Sequence, residues 1–432
     1  MKPMGSQTNV RFMPRIFFIL IVLNSLQSFA QQNTSNYDHV FVDNIRSVKF
    51  HMNGDMLSFP IIELNSNMEL LLSFDDLNED VADYIYTLTL CNADWSLTDM
   101  DELDYLEGYN GIRISGYEYS YNTLKNYTHF ELSLPNDDVR WLVSGNYVLD
   151  VYEDNEEQTL VITRRFMVVE PIMATLPQMV FPSIVSKYKT HHEIDFTVNH
   201  KGVEINNPRK NLSATVLQNG RWDNALTGLK PVYIKGYDLI FDFQDKVIFP
   251  AGKEFRYLDI RTFRYLNEKI VDIYRSDEIY DVMMFKEEPR VFKNFQSYKD
   301  INGNFLIELK EDKNPDLESE YASVFFSLGV SQEYFDSEVY IFGKLTDWQL
   351  KKEFKLAYNP NVSAYVGRAL LKQGYYNYYY VEVPAESTTF NHESIEGNWH
   401  QTENKYTVLV YYRPFGARHD RLVSTRTISS SY

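Results

Sequence analysis

"GNYVLDVYEDNEEQTLVITRRFMVVEP", residues 145–171, decides the fold class. Two runs rich in β-branched and aromatic residues, "NYVLDVY" (146–152) and "TLVITRRFMVVE" (159–170), flank the polar "EDNEEQ" (153–158). That order reads as a long β-hairpin, because such runs fit a pleated sheet and the acidic cluster fits the loop between them. Pro171 has no backbone donor and stops the second strand. A domain boundary is expected there.

Outward from the hairpin the same style repeats. Residues 171–289 contain "HEIDFTVNHKG", "LSATVLQNGRWDNA", "DLIFDF" and "EFRYLDIRTFRYL", short strand candidates separated by Gly, Asn, Asp and Pro. "KEEPR" (286–290) marks a second boundary. Residues 290–414 form a third unit with "YASVFFSL", "SEVYIFGKL", "AYVGRALL", "GYYNYYYVEV" and "KYTVLVYYR". No stretch keeps a helical period, and only "FDDLNEDVADYIYTL" (74–88) has room for a short helix or 3₁₀ turn. Seven or so strands per unit of about 120 residues predict an all-β chain of three tandem immunoglobulin-like β-sandwiches, 39–170, 171–289 and 290–414. The basic, Ser/Thr-rich 415–432 is expected to be a flexible tail. A transmembrane barrel fits less well, since charges interrupt many strands and "TRTISSS" before Tyr432 shows no apolar alternation.

The amino end reads as a leader. Lys2, Arg11 and Arg15 precede the apolar "IFFILIVLNSL" (16–26), and "SFA" puts Ser28 and Ala30 where a signal peptidase reads, so cleavage is expected between Ala30 and Gln31. Residues 31–38 then form a linker to an exported mature chain. The net charge is −18, and loss of the three basic leader residues leaves −21. Such a chain repels nucleic acid and anionic lipid. Its single cysteine, Cys91, cannot form an internal disulfide, so packing must hold the domains.

The sequence offers little chemistry. His191 and His192 point to opposite faces of a strand, and His51, His129, His200, His392, His400 and His419 are scattered, with no HExxH or CxxC to bind metal. GxSxG is absent, Cys91 has no histidine partner nearby, and the acidic clusters "FDDL" and "DMDELDYLE" read as solvated loops. Catalytic, cofactor and metal residues are therefore expected to be none. The composition points instead to a surface. In "GYYNYYYVEV" one row carries Tyr375, Asn377, Tyr379, Val381 and Val383, and the other Tyr376, Tyr378, Tyr380 and Glu382. The row ending in valines is expected to face the core, leaving Tyr376, Tyr378 and Tyr380 open for recognition. Upstream, "VYIFGKLTDWQL" (339–350) resembles the strand and turn of starch- and glycogen-binding modules, which adds Asp347 and Trp348 to the partner-contact candidates. Alanine at Trp348, Tyr376 or Tyr378 is then expected to weaken binding without harming the fold.

Together, "SFDDL" (73–77), "CNADW" (91–95), "LEGYNGIRISGYEYSYNT" (106–123), "YTHFELSLPN" (127–136), "FPAGKEFRYLDIRT" (249–262), "LLKQGYYNYYYVEV" (370–383), "IEGNWHQTENKYTVLVYYRP" (395–414) and "HDRLV" (419–423) resemble the plug-protein family of the type IX secretion system of Bacteroidetes. The chain departs from that pattern after "DRL", where "VSTRTISSSY" replaces a Gly-containing segment. The resemblance implies a non-enzymatic subunit beneath a very large outer-membrane translocon barrel, closing its inner mouth. The alternative is an exported glycan-binding protein that stacks sugars on the same aromatics of the third domain. A hydrolase with unpaired acidic residues ranks third.

Overall fold

A computed structural model describes Met1 and residues 37–430, except 79–81, 386 and 388. The expected leader, its cleavage point and Tyr432 lie outside the described residues, as does most of the linker.

The deciding hairpin is present. Gly145–Glu153 pairs antiparallel with Leu160–Val169, with Tyr147 opposite Phe166 and Leu149 opposite Arg164. Tyr84–Cys91 continues that sheet beyond Gly145–Glu153, and Ile61–Glu63 joins its other side in parallel. The facing sheet runs Ile45–Met52, Leu70–Asp76, Thr128–Leu134, Gly116–Tyr119. Tyr147, Leu149, Phe166 and Val168 from the first sheet meet Leu72, Phe74, Phe130 and Leu132 from the second in one core. Period-two alternation sends those side chains inward, as a half-buried strand requires. "FDDLNEDVADYIYTL" supplies strand ends at Leu70–Asp76 and Tyr84–Cys91, and the expected helical turn is not seen in its described residues.

The second sandwich departs from the expected boundaries. One sheet orders Ala174–Val180, His191–Asn199, Asp238–Phe241 and Tyr233–Lys235, with Ile248–Pro250 on His191–Asn199. Its partner sheet orders Leu226–Leu229, Leu212–Gln218, Lys405–Tyr412 and Arg421–Ser429. The last two strands were expected in the third domain and in a flexible tail. Instead Val408, Val410 and Val423 complete a core with Phe196, Val216 and Phe241. The burial of that apolar face gives the returning strands their place.

The third sandwich is correspondingly shifted toward the amino end. Its strands run Arg256–Asp259, Tyr375–Pro384, Ser337–Phe342, Lys355–Asn359, Ala364–Lys372, Tyr321–Gly329, Tyr280–Met284 and Ile270–Arg275, a single sheet rolled on itself. Segments 256–259 and 270–284, expected in the second domain, belong here through pairing with Tyr375–Pro384 and, in parallel, with Tyr321–Gly329. The expected boundary at 289 therefore falls inside this unit's own fold. The third sandwich is an insertion within the second.

The sandwiches are packed on one another. Cys91, Trp95, Val148 and Met167 of the first share a cluster with Leu217, Leu409, Tyr411 and Leu422 of the second. The guanidinium of Arg165 sits 4.4 Å above the Trp95 ring. Burial pushes the Cys91 thiol up to about 12, as befits a small core residue.

Candidate functional site

The five residues singled out from sequence are interior. Tyr376, Tyr378 and Tyr380 are 3%, 0% and 0% exposed and belong to the core of the third sandwich with Val324, Phe326 and Ile341. The opposite row is covered as well, Tyr379, Val381 and Val383 packing with Phe255, Phe342 and Trp348. The expectation of an open tyrosine face is thus corrected. Tyr375–Pro384 lies between Arg256–Asp259 and Ser337–Phe342, and "YYNYYYVEV" carries bulky side chains in both rows because both sides are buried.

Buried phenols need acceptors, and a carboxylate supplies one. The hydroxyls of Tyr378 and Tyr380 both donate to Glu287 Oε2, at 2.7 and 2.9 Å. Glu287 pairs in turn with Arg256 at 3.2 Å. Arg256 Nε donates to Glu396 Oε1 at 2.8 Å, and Arg290 Nε to Glu396 Oε2 at 2.6 Å. Burial opposes ionisation of Glu396, but Arg256 and Arg290 outweigh it and hold its carboxyl at about 2. Tyr378→Phe removes one donor from a charged acceptor and is expected to lose about 1.5–3 kcal/mol, read from urea midpoints. An unchanged midpoint would mean Glu287 is satisfied without that phenol.

The Asp347–Trp348 turn joins sandwiches. Both residues have left-handed backbones, φ 54° and 58°. This turns the indole onto Gly303, where an added Cβ would lie 2.3 Å from Trp348 Cη2, so only glycine fits beneath it. Arg221 of the second sandwich lies 4.7 Å above the same ring. Asp347 pairs with Lys351 at 2.8 Å and with Arg164 of the first sandwich at 3.2 Å. Burial is outweighed by Arg164, Lys351 and Lys344, which keep its carboxyl well below the usual range. Asp38, at the end of the expected linker, is fixed too, accepting from Arg165 N at 2.8 Å and pairing with Lys344 at 3.1 Å. Sugar stacking requires open ring faces. A cavity of about 790 Å³ does lie beside Trp348, Tyr379 and Arg221, but both rings are buried and Arg221 is engaged by Asp223 at 2.6 Å.

The open aromatic surface lies elsewhere. Gly116–Tyr119 is the margin of the first sandwich's second sheet and pairs only with Thr128–Leu134 among the described residues. All four of its residues are exposed, with Tyr117 at 43% and Tyr119 at 59%, and Tyr121 just beyond it at 47%. Tyr117 and Tyr119 stand edge to face, ring centroids 6.0 Å apart, and Tyr117 leans on Phe130 at 5.7 Å. The signal was present in "GYEYSY": its tyrosines alternate with Gly116, Glu118 and Ser120, leaving no apolar second row, as an edge strand should. In "GYYNYYYVEV" the second row is apolar, and that difference separates margin from centre.

The chain is all-β in class, with an exposed aromatic margin on its first sandwich. The family model for the type 9 secretion system plug protein 1st domain matches residues 45–170, which include that margin. The crystal structure of a hypothetical protein from Parabacteroides merdae superposes with a TM-score of 0.87 at 32% identity, over 91% of this chain and 99% of that one. An Escherichia coli alpha-2-macroglobulin aligns over 89% of this chain and 34% of its own at TM-score 0.18 and 9% identity, too distant to carry an argument. No curated protein matches. Through residues 45–170 the chain belongs to the type IX secretion system plug protein family. Among the described residues no helix is long and apolar enough to cross a membrane.

Proposed function

We propose that the chain is a non-enzymatic periplasmic subunit that binds the large outer-membrane translocon β-barrel of the type IX secretion system and closes its periplasmic opening. The family's plug role supports this reading, and so does the way the sandwiches are locked together by buried ion pairs, which suits a body that must fill a space without deforming. The observation that carries the contact is the Gly116–Tyr119 margin. It offers unpaired backbone groups and flanking tyrosines, two elements that strand-edge docking uses. A stable seal needs about 1,200–2,000 Å² of buried surface, so this margin is an anchor within a larger footprint.

Tagged protein recovered from outer-membrane extract should bring the barrel with it. Tyr117→Ala combined with Tyr119→Ala should cut that recovery at least about tenfold, as loss of central aromatic anchors does. Both side chains are exposed, so the variant should keep the wild-type melting curve. Undiminished recovery would remove the contact assignment. Failure of the unaltered protein to recover any barrel would sink the plug reading itself.

A further inference from the structure

Where the first and third sandwiches meet, the strand Thr128–Leu134 faces the short helix Pro315–Glu318. His129 is 5% exposed there, and its Nδ1 lies 2.6 Å from Asp75 Oδ1. The Oδ2 of Asp75 accepts from Tyr321 Oη at 2.6 Å and from Lys372 Nζ at 2.7 Å. With its Oδ2 taken by those two donors, Asp75 offers Oδ1 as the acceptor for His129 Nδ1–H. The proton of a neutral His129 ring then sits on Nδ1, and the lone pair of Nε2 points away from Asp75. It points at carboxylates: Glu131 Oε1 is 3.5 Å away and Asp316 Oδ1 is 3.9 Å away. Among the described residues Nε2 has no hydrogen-bond partner.

A lone pair facing two carboxylate oxygens is repulsive unless a proton or a metal ion lies between them. We propose that His129, Glu131 and Asp316 form a site for a divalent transition-metal ion of the zinc class, with water at the open position. The three ligand atoms lie within 4.8 Å of one another. Zinc bonds near 2.1 Å set tetrahedral ligand atoms about 3.4 Å apart, so the His129–Glu131 separation already fits, and Asp316, 3.9 Å from Nε2, must come closer. Asp75 holding Nδ1 is the outer partner that a metal-bound histidine ordinarily has. Nearby charge also leaves room. Asp75, Glu131 and Asp316 face Lys372 and Lys49, the latter 3.7 Å from Asp316 Oδ1, so carboxylates exceed ammonium groups by one. His129 and Glu131 come from the first sandwich and Asp316 from the third, so a bound ion would pin the two together.

The test is calorimetric titration of the EDTA-stripped full chain with Zn²⁺ at pH 7.5. One equivalent should bind, and the melting temperature should rise by a few degrees. Glu131→Gln and Asp316→Asn, at partly exposed side chains that the fold does not need, should each weaken uptake at least about tenfold, and the double variant should neither bind that equivalent nor gain heat stability. Absence of one-to-one uptake, or uptake unchanged in the double variant, would overturn the site and leave His129 holding a proton.

Discussion

A chain ending at Pro414 is expected not to reach the native state. The removed segment includes Arg421–Ser429, which pairs along the whole of Lys405–Tyr412. Leu422 and Val423 are fully buried. Burying two such side chains stabilises by about 3–6 kcal/mol before any backbone ladder is counted. The same segment ties the second sandwich to the first. Glu170 N donates to Leu422 O at 2.9 Å, Arg421 pairs with Glu170 at 2.5 Å, and Asp420 accepts from Ala93 N at 2.9 Å. Typical domains are stable by about 5–15 kcal/mol, so loss of these contacts together should be decisive. Near-ultraviolet circular dichroism and urea unfolding should show a second sandwich without fixed packing. Native spectra and an unshifted midpoint would mean the last strand is an ornament on a sheet complete without it.

Glu396→Gln is expected to lower stability by about 3–5 kcal/mol, because it leaves Arg256 and Arg290 buried with their shared carboxylate neutralised. Glu396 has no exposed surface and also accepts from the backbone N of Tyr380 at 3.0 Å. Its acid behaviour gives a second readout. The carboxyl titrates near 2 when folded and near 4.5 when unfolded, so its stabilisation is fully present above about 4.5 and is lost as pH falls toward 2. The difference is worth about 3 kcal/mol. Urea midpoints between pH 3 and 8 should therefore fall more steeply with acid in the wild type than in the variant. Parallel curves would show that the arginines find other partners.

Local pattern revealed the strands and the sandwich class, because alternation is written in neighbouring residues. Pairing across the chain was not legible. Nothing in "KYTVLVYYR" says that it returns to Leu212–Gln218 rather than joining Tyr375–Pro384 beside it in sequence. The tail was misread because its Arg and Ser content suggested disorder, although Val423, Thr425, Thr427 and Ile428 have the β-branched bias of a strand. The tyrosine strand was misplaced for a related reason. Only the valine-ended row was expected to face inward, whereas Glu287, paired with Arg256 and far off in sequence, satisfies the phenols of Tyr378 and Tyr380 in the core. At the junction of the first and third sandwiches, "HFE" puts His129 and Glu131 on one face of a strand, but Asp75 and Asp316 arrive only through the fold.

The insertion of one sandwich within another has a mechanical meaning. Ribosomes and export channels release a polypeptide amino end first, so the inserted body can close while its host still gapes. Until residue 412 emerges, Leu212–Gln218 offers a bare margin to any passing strand, a hazard best met by a holding chaperone. Once the host has shut, the inserted body is clamped at both of its ends. A tug on either terminus must then open the host's strands before the pull reaches the inserted body.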